Sequence, residues 1–219
     1  MDKNKNSDIY EKSIKSVWRK EREKLIKTLK NNEIPLWLND KVDNFIKRTY
    51  LNENSKKEII ERLLKGDEIL VTFFMRDPKR QNIYEKIFIK EMIKNNIEVI
   101  KLNSSGKNAF YVIDDEVKTN IVKPIGHKSL DFLIKIKNKE IYLINKYTNE
   151  EGGGQDNQFN DVIIQLKNIG TKTRNKVWVC LDGEYYTEDK IDKLISLNKN
   201  AIITNLQSLI KKAKDNKKL

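Results

Sequence analysis

The sequence predicts an α/β protein in which helices flank a mixed central β-sheet, with a helical region in front of it. Two observations indicate this fold. Residues 1–66 carry apolar side chains at helical spacing, whereas short apolar runs suited to buried strands alternate with amphipathic segments from residue 67 onward. No long linker or internal repeat separates the two parts. We therefore predict an N-terminal helical region at 1–66 and a sheet-containing domain at 67–219.

The N-terminal region is predicted to contain three helices with basic outer faces. The first is SIKSVWRKEREKLIKTLK, which ends before Pro35, and the others are KVDNFIKRTY and SKKEIIERLL, the latter closed by Gly66. Such a basic layer could contact a phosphate backbone or only cover the core, and the sequence leaves both interpretations open.

The second part is predicted to alternate strands and helices. In chain order we expect a strand EILVTFF, a helix QNIYEKIFIKEMIKNN, strands IEVIKL and NAFYVI, an acidic loop DDEVK, and antiparallel strands KSLDFLIKI and EIYLINKYT joined by the turn KNK. A helix at about 155–168, a strand KVWVCLD, a helix TEDKIDKLISL, a strand AIIT and a helix NLQSLIKKAKD follow.

Composition favours a polyanionic partner and excludes several classes of function. The formal net charge is +12, and sequence-independent affinity for nucleic acid comes mostly from Lys and Arg contacts to phosphate. A lysine-rich surface that only solvates the protein is the alternative. One cysteine, a charged N-terminus and the lack of a long apolar run predict a soluble, cytoplasmic protein without a membrane segment. The single histidine disfavours zinc-hydrolase chemistry, and the missing P-loop disfavours a nucleotide cofactor.

Asp131 and Lys146 are the candidate catalytic pair. A tight turn near Asn138 would place Asp131 opposite residue 144 or 145, so its carboxylate can meet the amine of Lys146 at adjacent strand ends. A carboxylate can hold a divalent cation, and a lysine can orient water and stabilise charge on a phosphate. The pair therefore suits phosphodiester hydrolysis, although a surface ion pair is the plainer interpretation.

The segment after the second hairpin strand adds polar groups to this pair. Three glycines at 152–154 allow the chain to reverse into a helix. At helical spacing, one face of that helix carries Asn157, Gln158, Asp161, Gln165 and Asn168, opposite an apolar face. Asp161 is accordingly a candidate second acid, because Mg²⁺ usually takes one or two protein carboxylates. An ordinary amphipathic helix is the alternative.

Residues from about 73 to 210 resemble type II restriction endonucleases of the PD-(D/E)XK superfamily. The segment FFMRDPKRQNIYE resembles the opening helix of these nucleases, and KSLDF resembles the strand with the first catalytic aspartate. WVCLDGEYY and IITNL resemble later core strands. Two departures stand out: Leu130 replaces the usual proline, and Ile144 replaces the acid two residues before the lysine. Some members of the superfamily carry that acid on the following helix, which points to Asp161, with Asp156 as the alternative.

The resemblance implies a Mg²⁺-dependent enzyme that cuts double-stranded DNA at a specific sequence, leaves 5′-phosphates and works as a homodimer. It implies metal ligation by Asp131, Asp161 and Glu85, with Lys146 as the catalytic lysine. The expected DNA contacts are Arg80, Gln81, Asn145, Gln155, Asp156, Asn157 and Gln158; amides among them could read adenine. A structure-selective nuclease resembling junction resolvases and a non-catalytic basic DNA-binding protein are the alternatives.

Overall fold

The computed structural model of the chain describes residues 4–77, 82–136, 138–149 and 153–218. Two compact units divide the chain: Tyr10–Tyr84 forms one, and Glu85–Leu219 with the first residues of the chain forms the other. Arg80 and Gln81, two expected DNA contacts, lie outside the described residues. Among the described helices, none combines the length and the apolar character needed to cross a membrane.

The N-terminal unit is helical, as predicted. It contains most of α1 (Asn4–Lys30), together with α2 (Leu36–Thr49), α3 (Glu53–Leu64) and α4 (Glu68–Phe74). Each helix turns an apolar stripe inward, and the buried core of the unit consists of Leu25, Leu29, Leu38, Val42, Ile46, Leu63, Val71, Phe74 and Met75. The side chain of Asn52 caps α3 by accepting a hydrogen bond from the backbone N–H of Ser55.

The predicted strand EILVTFF is wrong, because this run forms α4. The Asp67 side chain accepts hydrogen bonds from the N–H groups of Ile69 and Leu70, which starts a helix there. Val71 and Phe74 are buried at helical spacing, whereas Ile69 and Phe73 are exposed. Since α4 packs into the helical core, the compact units divide at Tyr84 and Glu85 rather than after Gly66.

The C-terminal unit is built around the predicted mixed sheet. Its elements are α5 (Ile83–Lys94), which begins just before the division, then β1 (Glu98–Lys101), β2 (Tyr111–Ile113), β3 (Glu116–Lys118), β4 (Phe132–Ile136), β5 (Lys139–Tyr147), α6 (Gly153–Leu166), β6 (Val177–Asp182), α7 (Glu188–Leu197), β7 (Ile202–Thr204) and α8 (Leu206–Lys218). The prediction of an α/β fold with a mixed sheet flanked by helices is confirmed at this level.

Five strands form the sheet in the order β1-β4-β5-β6-β7. The pairs β1–β4 and β4–β5 are antiparallel, and β5–β6 and β6–β7 are parallel. On one face α6 and α7 contribute Val162, Leu166 and Leu194 to a core with Ile144 and Val179. On the other face Phe88 of α5 stacks on Phe132, with ring centroids 4.7 Å apart. Every residue of β6 is buried, as expected for a strand covered on both faces.

The segment predicted as an acidic loop, DDEVK, instead contributes a strand. Glu116–Lys118 pairs with Tyr111–Ile113 as a separate two-stranded hairpin, turning at Asp114 and Asp115, which both have positive φ. The Asp115 carboxylate accepts hydrogen bonds from the Thr173 hydroxyl and from the N–H groups of Gly170, Lys172 and Thr173. These bonds, led by that of the hydroxyl, lower the pKa of Asp115 to about 2. The hairpin is thereby fastened to the loop that precedes β6.

Candidate active site

Asp131 and Lys146 meet at adjacent ends of β4 and β5. The register pairs Phe132 with Leu143, so Asp131 lies opposite Ile144, one of the two positions expected. The Oδ2 atom of Asp131 accepts hydrogen bonds from the backbone N–H of Asn145 at 2.7 Å and from the Nζ atom of Lys146 at 2.9 Å. A carboxylate oriented by both a backbone group and an ammonium is more firmly placed than a surface ion pair.

Strand alternation explains why both side chains lie on the same face. Ile144 is fully buried in the core beneath α6, so Lys146, two residues later, emerges on that face as β5 ends. Leu133 packs into the same core, and Asp131, two residues earlier, shares its face as β4 begins. The two side chains are 22% and 26% exposed, which leaves the pair accessible from solvent but largely surrounded by protein.

Several elements open toward this edge of the sheet. The parallel strands β5 and β6 end together, because Tyr147 is the register partner of Asp182. The antiparallel β4 begins at the same edge, and β1 ends beside it, since Lys101 pairs with Phe132. In α/β sheets, ligands commonly bind beyond the carboxyl ends of parallel strands. The Asp131–Lys146 pair lies at such a position.

The polar face of α6 spans the segments that flank the pair. Gln165 is only 4% exposed, and its Nε2 atom donates to the backbone oxygens of Lys128 at 3.3 Å and Ser129 at 3.2 Å. At the other end, the Thr148 hydroxyl donates to the Oε1 atom of Gln158 at 3.2 Å. These contacts fasten α6 just before Asp131 and just after Lys146. The sequence predicted that this polar face would add groups to the pair itself; the two glutamines instead contact the segments on either side of it.

Asp161 lies on this face but contacts a different lysine. Its Oδ2 atom is 3.2 Å from the Nζ atom of Lys128. Within the part of the chain that the structure describes, no group of three acidic, histidine or cysteine side chains is arranged to hold a metal ion. The predicted set of Asp131, Asp161 and Glu85 is therefore not assembled as one three-carboxylate cluster here.

Glu85 forms an ion pair with Lys101 of β1. Lys101 pairs across the sheet with Phe132, whose ring stacks on Phe88 of α5. Alternation therefore puts Lys101 on the face opposite that of Asp131. The ion pair keeps one carboxylate oxygen of Glu85 on the α5 side of the sheet.

The first turns of α6 are held by the loop after β6. The Tyr185 hydroxyl donates to Asp156 at 2.6 Å, so the alternative second acid already has a strong partner. Burial raises the pKa of Tyr186 to about 12, so its hydroxyl stays protonated beside Thr148 at neutral pH. Asn157 is exposed on the following turn. Gln155 lies in α6, and its side chain is outside what the structure describes.

Asn145 serves the site through its backbone. Its N–H group orients Asp131, while its side chain lies on the opposite face of the sheet from Lys146. The side-chain Oδ1 atom is buried and has no hydrogen-bond partner among the described residues. The buried Oδ1 atom is therefore not available at the surface for the expected DNA contact.

Sequence reasoning missed the groups that brace the strand ends. Gly183 has φ of +103°, and an added Cβ would collide with the backbone carbonyl of Thr148. The buried Asp182 accepts a hydrogen bond from the Leu206 N–H at 3.1 Å and so caps α8. The Asp182–Gly183 pair was visible in the sequence, but its closeness to Thr148 depends on the β5–β6 register.

The assembled site offers an acid and an ammonium at an open sheet edge. The Oδ1 atom of Asp131 accepts no hydrogen bond from the described residues, which leaves it available to a cation. One or two carboxylates with several waters are the usual protein ligands of Mg²⁺, so the donor set fits that ion. Comparisons of the chain with models of protein families, with curated proteins and with solved structures gave no match.

Proposed function

We propose that this protein is a Mg²⁺-dependent endonuclease that hydrolyses double-stranded DNA, most nearly a type II restriction enzyme with a restriction-endonuclease-like core. The observation that carries the proposal is the oriented pair of Asp131 and Lys146 at the ends of β4 and β5. The net charge of +12 supports a polyanionic substrate. Cytoplasmic location and a homodimer acting on a palindromic site with 5′-phosphate products belong to the same proposal.

Each residue of the pair has a distinct role in the proposed reaction. Asp131 holds the cation through its open Oδ1 atom while Asn145 and Lys146 fix its orientation. Lys146 keeps further N–H donors for the attacking water or a phosphate oxygen. A bound Mg²⁺ would stabilise negative charge on the phosphate.

The second acid remains a choice between Asp161 and Asp156 in this proposal. Asp161 would have to exchange its contact with Lys128, and Asp156 its bond from the Tyr185 hydroxyl. Lys128 is 48% exposed and Asp161 27%, so their partly solvated ion pair is worth about 1 kcal/mol, and exchanging Lys128 for a cation costs little. This comparison favours Asp161. Asn157 and Gln158 on the same helix are the proposed adenine readers.

A non-catalytic DNA-binding protein is the second candidate, and a specific observation favours it. Both proposed additional ligands, Asp161 and Glu85, form ion pairs with lysines instead of joining Asp131. A basic protein whose acids are neutralised in this way would bind DNA without cutting it.

Cleavage of phage DNA and of a branched junction in the presence of Mg²⁺ or Mn²⁺ separates these candidates. We expect discrete fragments from the phage DNA, and loss of cutting in Asp131→Asn but not in the matched control Asp192→Asn, an exposed acid on α7. Asp161→Asn and Asp156→Asn then identify the second acid by a raised Mg²⁺ requirement. Cutting confined to the junction would indicate a structure-selective nuclease. Binding without any cleavage in the wild type would refute the enzyme and leave the non-catalytic candidate.

A further inference from the structure

The N-terminal unit contains a groove of about 950 Å³ between α2 and the end of α4. One face of α2 supplies residues at helical spacing, and the chain just after α4 closes the other side. The groove is lined by Trp37, Asp40, Lys41, Asn44, Phe45, Arg48, Phe73, Phe74, Arg76 and Asp77. Its volume lies in the range of small-molecule sites, about 300–1,000 Å³. All of these residues belong to the one compact unit.

One aromatic ring in this groove is exposed to solvent. Phe73 is 58% exposed although it belongs to a cluster of phenylalanines. Its ring meets that of Phe45 edge-to-face at 5.5 Å and that of Phe74 at 4.9 Å. The neighbouring rings hold Phe73 in place and leave more than half of it available. A fixed, open aromatic side chain of this kind can stack against a planar ligand.

Three cationic side chains line the same groove. Arg76 lies with its guanidinium 4.6 Å from the centre of the Trp37 ring, a cation–π contact that fixes the arginine at the rim. Lys41 donates to the backbone oxygen of Met75 at 2.8 Å and so anchors the end of α4. Arg48 is exposed on the next turn of α2. The groove thus carries three cationic side chains against the two carboxylates Asp40 and Asp77.

We infer that this groove binds an unstacked DNA base together with its phosphate. Stacking of a base on the Phe73 ring would contribute affinity that does not depend on the DNA sequence. Arg48 and Arg76 would neutralise the adjoining phosphate. Asn44 also lines the groove, and a side-chain amide can both donate to and accept from a base edge. The excess of positive charge favours a nucleotide over an apolar protein segment. The inference relies on the proposed function only in taking DNA as the partner.

Fluorescence of a single-stranded oligonucleotide containing 2-aminopurine tests this inference, measured with EDTA so that cleavage plays no part. We expect quenching and saturable binding by the wild-type chain. Phe73→Leu should weaken binding by at least about 5-fold, since base–aromatic stacking contributes substantially per base. Phe73→Tyr keeps an aromatic face and should bind as the wild type does. Arg48→Gln should weaken binding and flatten its salt dependence, whereas Lys47→Gln, exposed on α2 outside the groove, is the matched control.

Equal affinity and equal quenching in Phe73→Leu and the wild type would overturn the inference. The exposed Phe73 ring would then be interpreted as a contact for a protein partner. Thermal unfolding of each variant checks that the helical unit is intact; Phe73 is mostly exposed, so the changes should be tolerated. The outcome is separable from that of the proposed function. If Phe73→Leu loses base binding and no form of the protein cleaves DNA, the result would support base binding in the groove and refute the proposed nuclease activity.

Discussion

The contact between Asp131 and Lys146 can be measured without any assay of activity. Their Nζ–Oδ2 distance is 2.9 Å, and the side chains are 26% and 22% exposed, respectively. The gross attraction at about 4 Å is about 4 kcal/mol at an effective dielectric constant of about 20, and desolvation and side-chain ordering offset much of it. A double-mutant cycle with Asp131→Asn and Lys146→Met should give a coupling free energy of about 1–2 kcal/mol.

A second cross-strand pair in the same sheet provides the control. Lys135 and Glu98 are 3.2 Å apart with side chains 39% and 59% exposed, so their cycle should give about 0.5 kcal/mol or less. Urea unfolding is the assay, followed by fluorescence of Trp178 in a background with Trp18→Phe and Trp37→Phe. That background leaves one tryptophan in the chain, within β6, and reports on the sheet unit alone. A coupling free energy no larger than that of the control pair would refute the claim that Asp131 and Lys146 interact more strongly than a surface ion pair.

Three further predictions concern contacts within the C-terminal unit. Gly183→Ala should lower the free energy of unfolding by at least about 2 kcal/mol, because φ of Gly183 is positive and the new Cβ meets the Thr148 carbonyl. Gly154→Ala is the control, since a Cβ at Gly154 meets open space. In the same urea assay it should be neutral or stabilising by up to about 1 kcal/mol. Gln165→Leu should cost about 1–3 kcal/mol by leaving two backbone oxygens without donors, and unchanged unfolding would contradict that anchor. The pKa of Asp115 falls from 3.8 to about 2 on folding, so its ionised form stabilises the protein above about pH 4 and this stabilisation is lost as the pH falls through 2. The melting temperature of Asp115→Asn should therefore lie below that of the wild type at pH 7 and approach it at pH 2; a constant difference would contradict the assignment.

The sheet was predictable because its strands carry local signals. KVWVCLD is a continuous apolar run, as expected for a strand that is covered on both faces. The hairpin of β4 and β5 connects strands close together in the chain, so the sequence narrowed the position opposite Asp131 to residue 144 or 145, and the register of the structure selects Ile144. Both features depend on residues close together in the chain.

The wrong prediction of a strand at EILVTFF shows where local sequence signals are insufficient. EILVTFF is short and apolar, which suits a buried strand as well as a buried helix. The deciding group was the N-cap Asp67, whose carboxylate binds two successive N–H groups. The exposure of Ile69 and Phe73 on one side of α4 then follows from the helical period.

The partners of the additional acids were not predictable for a different reason. Asp161 pairs with Lys128, and Glu85 pairs with Lys101, across separations that depend on the tertiary fold. The chain contains 44 Lys and Arg residues, so nearly every acid has several candidate partners. Charge alone therefore cannot indicate which carboxylates remain available for a cation.

The charged pair at the end of a buried strand can serve stability or chemistry, and one double variant distinguishes the two. Ile144 is fully buried, and a lysine two residues later is costly to desolvate unless an acid accepts it. Replacing a largely buried ion pair by apolar residues of similar size is often neutral or stabilising by about 1–4 kcal/mol. A fold selected only for stability would therefore not require the pair at Asp131 and Lys146. If the variant Asp131→Leu with Lys146→Met unfolds at the same or higher urea concentration and lacks the DNA cleavage proposed for the wild type, chemistry is the remaining reason for the pair. If that variant unfolds at much lower urea concentration, the pair is explained by its hydrogen bond to Asn145 and by the structure it maintains.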